Sequence, residues 1–379
     1  MPSHKSQHFV PQFLLRRFSP DGSSIGLHNI ASGRRIEGAS LKHQACRDWF
    51  YGRDGHIESV LADFEGEASR VLLDIQESTR PSKRYSADHH TLATFLHIQA
   101  QRTAQAVAQA NEMLNKIGKS VLRRRLTDPA LLEALDQVEM TLTDPTDMTL
   151  RRAILDTPVI LDLKFKLLHN VSGVPFVLGD HPVIKHNQLY EGAPVSLIGL
   201  ANVGLQILLP IGPTLAIVFY DEAAYALGDR SSNVVRIAAA KDVRALNAMQ
   251  WANALENVYF CPPADGVDWI AGDRLAQIRR DEHVALSERP VQDSSGRRGV
   301  MLSLQTRLPS QDLPMPLFRP RIKPPSLADE LDPPLRNPEW AHGVHRLKDS
   351  LDRGDISFDA YWRLTTPPPF LRSALGGRG

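Results

Sequence analysis

The sequence predicts an α+β protein, a mainly helical layer packed on a small antiparallel sheet. Three observations carry this. Apolar residues recur at helical spacing through residues 56–157. The pattern then changes to short apolar runs punctuated by Gly and Pro over 175–220. The chain of 379 residues, 42% hydrophobic, is long enough to bury a large core.

The elements follow in order. Residues 8–18 read as a short strand or a turn of helix, with Pro11 holding Val10 extended. Residues 25–37 alternate around an Ala-Ser-Gly turn and read as a hairpin, and 41–52 end in the cluster Trp49, Phe50, Tyr51. Ile57, Val60, Leu61, Phe64, Ala68, Val71, Leu72 and Ile75 define a helix that Pro81 ends. Ser86 is a good N-cap for a second helix that runs through Gly118. Further helices are expected at 128–142 and 147–157. Residues 205–220 read as two strands joined by a turn over Pro210–Pro213. Long helices are expected at 236–260 and 266–287. Nine prolines between Pro309 and Pro338 suggest an extended arm, and a late strand is expected within 355–370. The organisation is thus an α+β domain over 1–290 and a Pro-rich C-terminal extension over 291–379.

Bulk properties bound the function. A formal net charge of +1 supplies no global field for nucleic acid, although Arg16, Arg17 and Arg123–Arg125 could form local patches. Only Cys46 and Cys261 are present, which argues against a disulfide scaffold and fits a reducing, cytoplasmic setting. The opening residues hold no apolar targeting core, and no run reads as a membrane span. Walker, Rossmann, HExxH, GxSxG and paired CxxC patterns are absent.

Several polar residues stand out. His4 and His8 are four apart, a metal-ligand spacing if helical. His90, Thr94 and His97 share one face of the second helix, with Arg102 beyond. In "FVLGDHPVI" an apolar run delivers Asp180 and His181 to a strand end, where Asp180 either caps a turn or serves a site. Asp162 and Lys164 are two apart, a nuclease-like pattern on a strand. Asn247, Gln250 and Asn257 follow helical spacing, and buried amides of this kind most often fix packing.

Taken together, "HFVPQFLLRRF", "GHIESVLADFEGEA", "FVLGDHPVI" and "VRALNAMQWANALENVYF" resemble the family of domain of unknown function 4238, in order and spacing over roughly residues 4–260. Phe9 stands where that family has a tyrosine, and His181 where it has an asparagine. His8, Pro11, Gln12, Arg16, Phe18, Glu58, Glu65, Arg102, Asp180, Pro182 and Asn247 match its pattern. The resemblance implies an intracellular, mostly microbial protein and brings no activity.

Two functions follow as expectations. In the first, the polar residues converge for metal-dependent hydrolase or nuclease chemistry. Glu65 and Asp180 hold a divalent metal or act as bases, Arg102 clamps an anion, and His8 carries a proton. Gln12, Arg16, His90 and Asn247 then bind the substrate, a small molecule or nucleic acid. The alternative is a non-catalytic binding or interaction protein. There Arg102 and Glu65 pair structurally, His8 ties down the N-terminus, and residues 308–338 contact a protein partner.

Overall fold

The computed structural model describes residues 5–143, 145–263, 267, 284–292, 296–324 and 333–365. His4 and most of the helix expected at 266–287 lie outside them; the end of that stretch is strand.

The chain opens with β1 (Ser6–His8), α1 (Gln12–Arg16), the hairpin β2 (Ser24–Asn29) and β3 (Arg35–Ser40), and β4 (Cys46–Asp48), which pairs antiparallel with β1. Pro11 caps α1 in the extended conformation, and Leu14, Leu15 and Phe18 are fully buried. This short helix therefore anchors the N-terminus by its apolar side.

The helix α2 (His56–Ser78) follows, and Leu61, Ala68, Val71, Leu72 and Ile75 form its buried face. Ser86 caps α3 (Ala87–Gln101), its hydroxyl accepting from the His89 N–H at 3.2 Å. The single long helix expected here is two helices. Arg102 leaves helical geometry at φ −103° and ψ 13°, and Thr103 caps a new helix, α4 (Ala104–Arg123). Next come α5 (Pro129–Gln137), which ends short of the expected residue 142, and α6 (Pro145–Asp156).

The second half supplies most of the strands: β5 (Lys164–Asn170), β6 (Leu178–Gly179), β7 (Ile184–His186), β8 (Gln206–Gly212), β9 (Leu215–Tyr220), β10 (Tyr225–Ala226) and β11 (Val234–Ile237). Pro210 lies within β8, at a shift of register, and Pro213 and Thr214 make the turn. After α7 (Ala240–Asn253) comes β12 (Asn257–Phe260). The long helix expected over 236–260 is therefore a shorter helix with strand at both ends. Beyond it lie β13 (Val284–Gln292), β14 (Arg298–Thr306), β15 (Arg319–Pro320), α8 (Pro338–Asp352) and α9 (Phe358–Thr365). The expected late strand is α9, a helix.

The α+β class is as expected, but the sheet is not one small antiparallel sheet. The central sheet has five strands in the order β11-β5-β9-β8-β7 and is mixed, because β11 runs parallel to β5. A second sheet, β3-β2-β12-β6, is antiparallel. Every residue of β8 and β9 is buried, so both faces of the central sheet are covered. The pleat sends Phe165 and Phe219 toward α3, where Phe219 stacks on His89 at 5.3 Å. It sends Leu208 and Ala216 toward Leu246 and Met249 of α7. Helices α2 and α6 pack on α3 and complete the helical layer.

Residues 290 and 291, where the sequence suggests a boundary, are neighbours on β13. Over its described residues the Pro-rich segment is tied to the body rather than extended from it. Gln311 donates to the Tyr190 carbonyl at 2.6 Å, and Phe318 packs edge-on against Tyr220 and Tyr225. Arg336 meets Asp162 at 2.5 Å with both side chains buried, so Asp162 forms no pair with Lys164. Trp340 of α8 donates to the Pro158 carbonyl at 3.0 Å, and Tyr361 of α9 to that of Leu155 at 2.5 Å. No helix among the described residues is long and apolar enough to cross a membrane.

Candidate functional site

The polar residues singled out by the sequence fall into two clusters and one isolated position. The first cluster lies under the N-terminal strap. Gln12 accepts from Arg16 through Oε1 at 2.8 Å, which turns its amide nitrogen toward His8 Nε2 at 2.7 Å. His8 Nε2 must then accept, and its Nδ1–H donates to the Gln44 carbonyl at 3.0 Å. His8 is thus a neutral imidazole with both nitrogens engaged, and burial lowers its pKa.

Beneath it, the fully buried Arg102 donates from Nε to Gln99 at 2.8 Å and from Nη1 to Glu65 at 2.6 Å. Gln99 in turn donates to the Phe9 carbonyl at 3.0 Å, and the Tyr51 hydroxyl to that of His8 at 3.0 Å. The break between α3 and α4 explains this position. Arg102 caps α3, so its side chain leaves the helix and reaches Glu65 on α2.

The second cluster fixes the loops around the second sheet. Asp180 is buried, and its carboxylate accepts backbone N–H groups of Leu255, Glu256 and Asn257 at 2.7, 2.8 and 2.9 Å. Burial outweighs these donors and raises its carboxyl to about 6. One face of α7 forms an amide ladder on the same segment. Asn247 accepts from Val177 N–H at 3.0 Å and donates to the Pro175 carbonyl at 2.9 Å. Gln250 accepts from Gly179 N–H and donates to the Pro182 carbonyl, both at 2.8 Å, and Asn253 donates to that of His181 at 2.6 Å. Asn247 is therefore a backbone clamp with both amide atoms used. Gln250 is used in the same way, and Asn253 clamps through its amide nitrogen.

No hydrogen bond or ion pair links Glu65 to Asp180, the expected metal pair. Glu65 is paired with Arg102, and both Asp180 oxygens are engaged by main chain. Among the described residues no group of three or more His, Cys, Asp or Glu could hold a metal ion. Most of the basic residues expected to meet phosphate are also engaged, Arg16 with Gln12 among them. Arg17 donates to the Leu72 and Ser69 carbonyls, Arg123 pairs with Asp136, and Arg124 with Glu288.

His90 stands apart, on the wall of a cavity of about 690 Å³ between α2, α3, α6 and α9. Ile57, Val60, Leu61 and Phe64 line it from α2, and Leu150 and Ile154 from α6. His90, Thr94 and Ile98 form the α3 wall, one helical turn apart. Phe358 and Trp362 of α9 close the remaining side, with the Trp362 ring edge-on to His90 at 4.4 Å. Burial lowers the His90 pKa to about 4, so the imidazole is neutral. Of the residues named above as site candidates, His90 and its helix neighbour Thr94 reach this cavity. The sequence carried a trace of the rest. The apolar set Ile57, Val60, Leu61 and Phe64 is wider than one core contact needs, and Val60 is 53% exposed.

The family model described as "Protein of unknown function (DUF4238)" matches residues 6–264, more than half of the chain. The chain belongs to this family. Neither the curated proteins nor the solved structures gave a match. The DUF4238 region holds both polar clusters and three walls of the cavity, whereas α9, the fourth wall, lies beyond it.

Proposed function

We propose that this protein is a non-catalytic binding protein whose helical layer takes up a small, largely apolar molecule. The observation that carries the reading is the cavity. Its volume of about 690 Å³ falls within the roughly 300–1,000 Å³ of ligand pockets, and most of its lining is apolar. The hydrolase and nuclease reading draws less support. A hydrolytic site needs a base or metal ligand free to meet substrate, and His8, Glu65 and Asp180 each already hold partners within the fold.

The test is uptake of an uncharged, non-aromatic fluorescent dye, the methyl ester of the polyene parinaric acid, by the folded chain. Saturable binding is expected. Val60 and Ala87 line the cavity and are exposed, so Val60→Trp with Ala87→Trp narrows it without disturbing the core. This double variant should melt as the parent does and lose about tenfold or more in dye affinity. Dye binding that is unsaturable, or indifferent to both substitutions, would place it elsewhere and sink the proposal.

A further inference from the structure

We propose that the occupant of this cavity is an uncharged molecule with a flat aromatic body and at least one hydrogen-bonding group, a proposal that rests on the binding reading above. Charge is the first argument. The Asp147 and Arg151 carboxylate and guanidinium are the formal charges on the lining, and they pair with each other at 3.0 Å. Both side chains are largely exposed, 44% and 77%, so the pair belongs to the mouth. His90 is neutral. An ion buried here would find no counter-charge and would lose its hydration without return.

Unmet polarity is the second argument. Tyr85 Oη, His90 Nε2 and Thr94 Oγ1 belong to lining residues, are buried, and have no hydrogen-bond partner within the chain. Thr94 is only 5% exposed. Orphaned buried polar atoms are rare in folded proteins because each costs the full desolvation of the group. As they stand, all three atoms are closed off from the cavity as well as from solvent, so an external partner reaches them only once their side chains turn. A hydroxyl, carbonyl or amide on the occupant would supply it after small rotations of these side chains.

Ring chemistry is the third. Phe64, Tyr85, His90, Phe358 and Trp362 all contribute rings to the lining. Phe358 and Trp362 are stacked at 6.0 Å with planes 20° apart, and Trp362 meets His90 at 76°. A flat aromatic body gains both face and edge contacts in such a setting, beyond the area it buries. With the His56 imidazole the lining holds six rings, and two of them come from α9, outside the family match, so the choice of ligand depends on a wall that the DUF4238 region does not itself provide.

The experiment is calorimetric titration of the full chain with naphthol, naphthoate and naphthylmethylammonium, which share one ring system and differ in charge. Naphthol should bind at least about tenfold tighter than either ion, the equivalent of about 1.4 kcal/mol. Trp362→Ala should weaken naphthol by a similar factor. His90→Phe with Thr94→Val should weaken naphthol and leave naphthalene itself unchanged. Naphthoate or the ammonium binding as tightly as naphthol overturns the uncharged class while the binding reading stands. Uptake of the dye without any naphthyl probe overturns the aromatic class alone. Failure of dye and probes together removes both proposals. Self-association that Val60→Asp abolishes, with no probe bound, assigns the cavity mouth to a second copy of the chain and overturns this inference.

Discussion

Asp180 shows how a buried charge is used structurally. Its two oxygens serve three successive N–H groups of a loop that begins 75 residues downstream, joining the end of β6 to the connection between α7 and β12. Asp180→Asn keeps the shape but replaces one acceptor oxygen with an NH₂ group that faces backbone donors. Loss of one or two charge-assisted bonds costs about 2–4 kcal/mol. Urea denaturation at pH 7 should show that loss, and a change below about 0.5 kcal/mol, the scale of neutral surface substitutions, would mean the loop is held by other contacts. In the sequence, Asp180 could be assigned either to a turn or to a site. The residue's type and its strand-end position were legible, but its partners were not. They lie far along the chain, and one sequence carries no sign of which backbone amides will be brought to it. The same holds for Asn247 and Gln250. Their spacing marked one helix face, while the segment they clamp was fixed only by the fold.

At the level of elements, the helices with one clear apolar face were legible, and the breaks within them were not. The N-cap at Ser86 and the buried stripe of α2 follow directly from local sequence. The break at Arg102 and Thr103 has no Gly or Pro to announce it. It forms because tertiary partners for both side chains outweigh two more residues of helix. Arg102 reaches Glu65 and Gln99, and the Thr103 hydroxyl accepts from Ala106 N–H and shares a hydrogen bond with His181 Nδ1 at 2.5 Å. The strands at either end of α7 were hidden for a related reason. Val234–Ile237 and Asn257–Phe260 are too short to set a period of two, and pairing with β5 and β2 decides their state. Thr103→Ala should remove the cap and leave the buried His181 Nδ1 without its partner. The expected cost is about 2–3 kcal/mol, with Thr103→Ser losing less than about half of it. Thermal unfolding of the two variants beside the parent checks this. Equal losses in both would assign the effect to the methyl group and its packing instead of the hydroxyl.

For the whole molecule, the buried imidazoles set the response to acid. His89, His97 and His181 are buried at the seam between the helical layer and the sheets, and burial holds each pKa down to about 3 from 6.5. Each binds fewer protons folded than unfolded across that window, so its contribution to stability is lost progressively as pH falls from 6.5 toward 3. At pH 5 the loss is about 2 kcal/mol for each, and about as much again for His90 with its pKa of about 4, about 8 kcal/mol together. Asp180 acts in the opposite sense. Its folded pKa of about 6 lies above 3.8, so the folded state takes up its proton first and recovers about 1 kcal/mol at the same pH. A net loss of about 7 kcal/mol is comparable with the whole stability of many domains, roughly 5–15 kcal/mol. Acid unfolding followed by circular dichroism should therefore be centred near about pH 5, above the range in which carboxylates titrate. His89→Phe separates this cause from others. The ring already stacks on Phe219 and lies tilted against Phe165, so a phenyl group suits the site, and the substitution removes a titrating group. The midpoint should move down by a few tenths of a pH unit, because one of four imidazole contributions is gone. A midpoint that does not move would show that proton uptake elsewhere opens the structure before the seam between helices and sheet is reached.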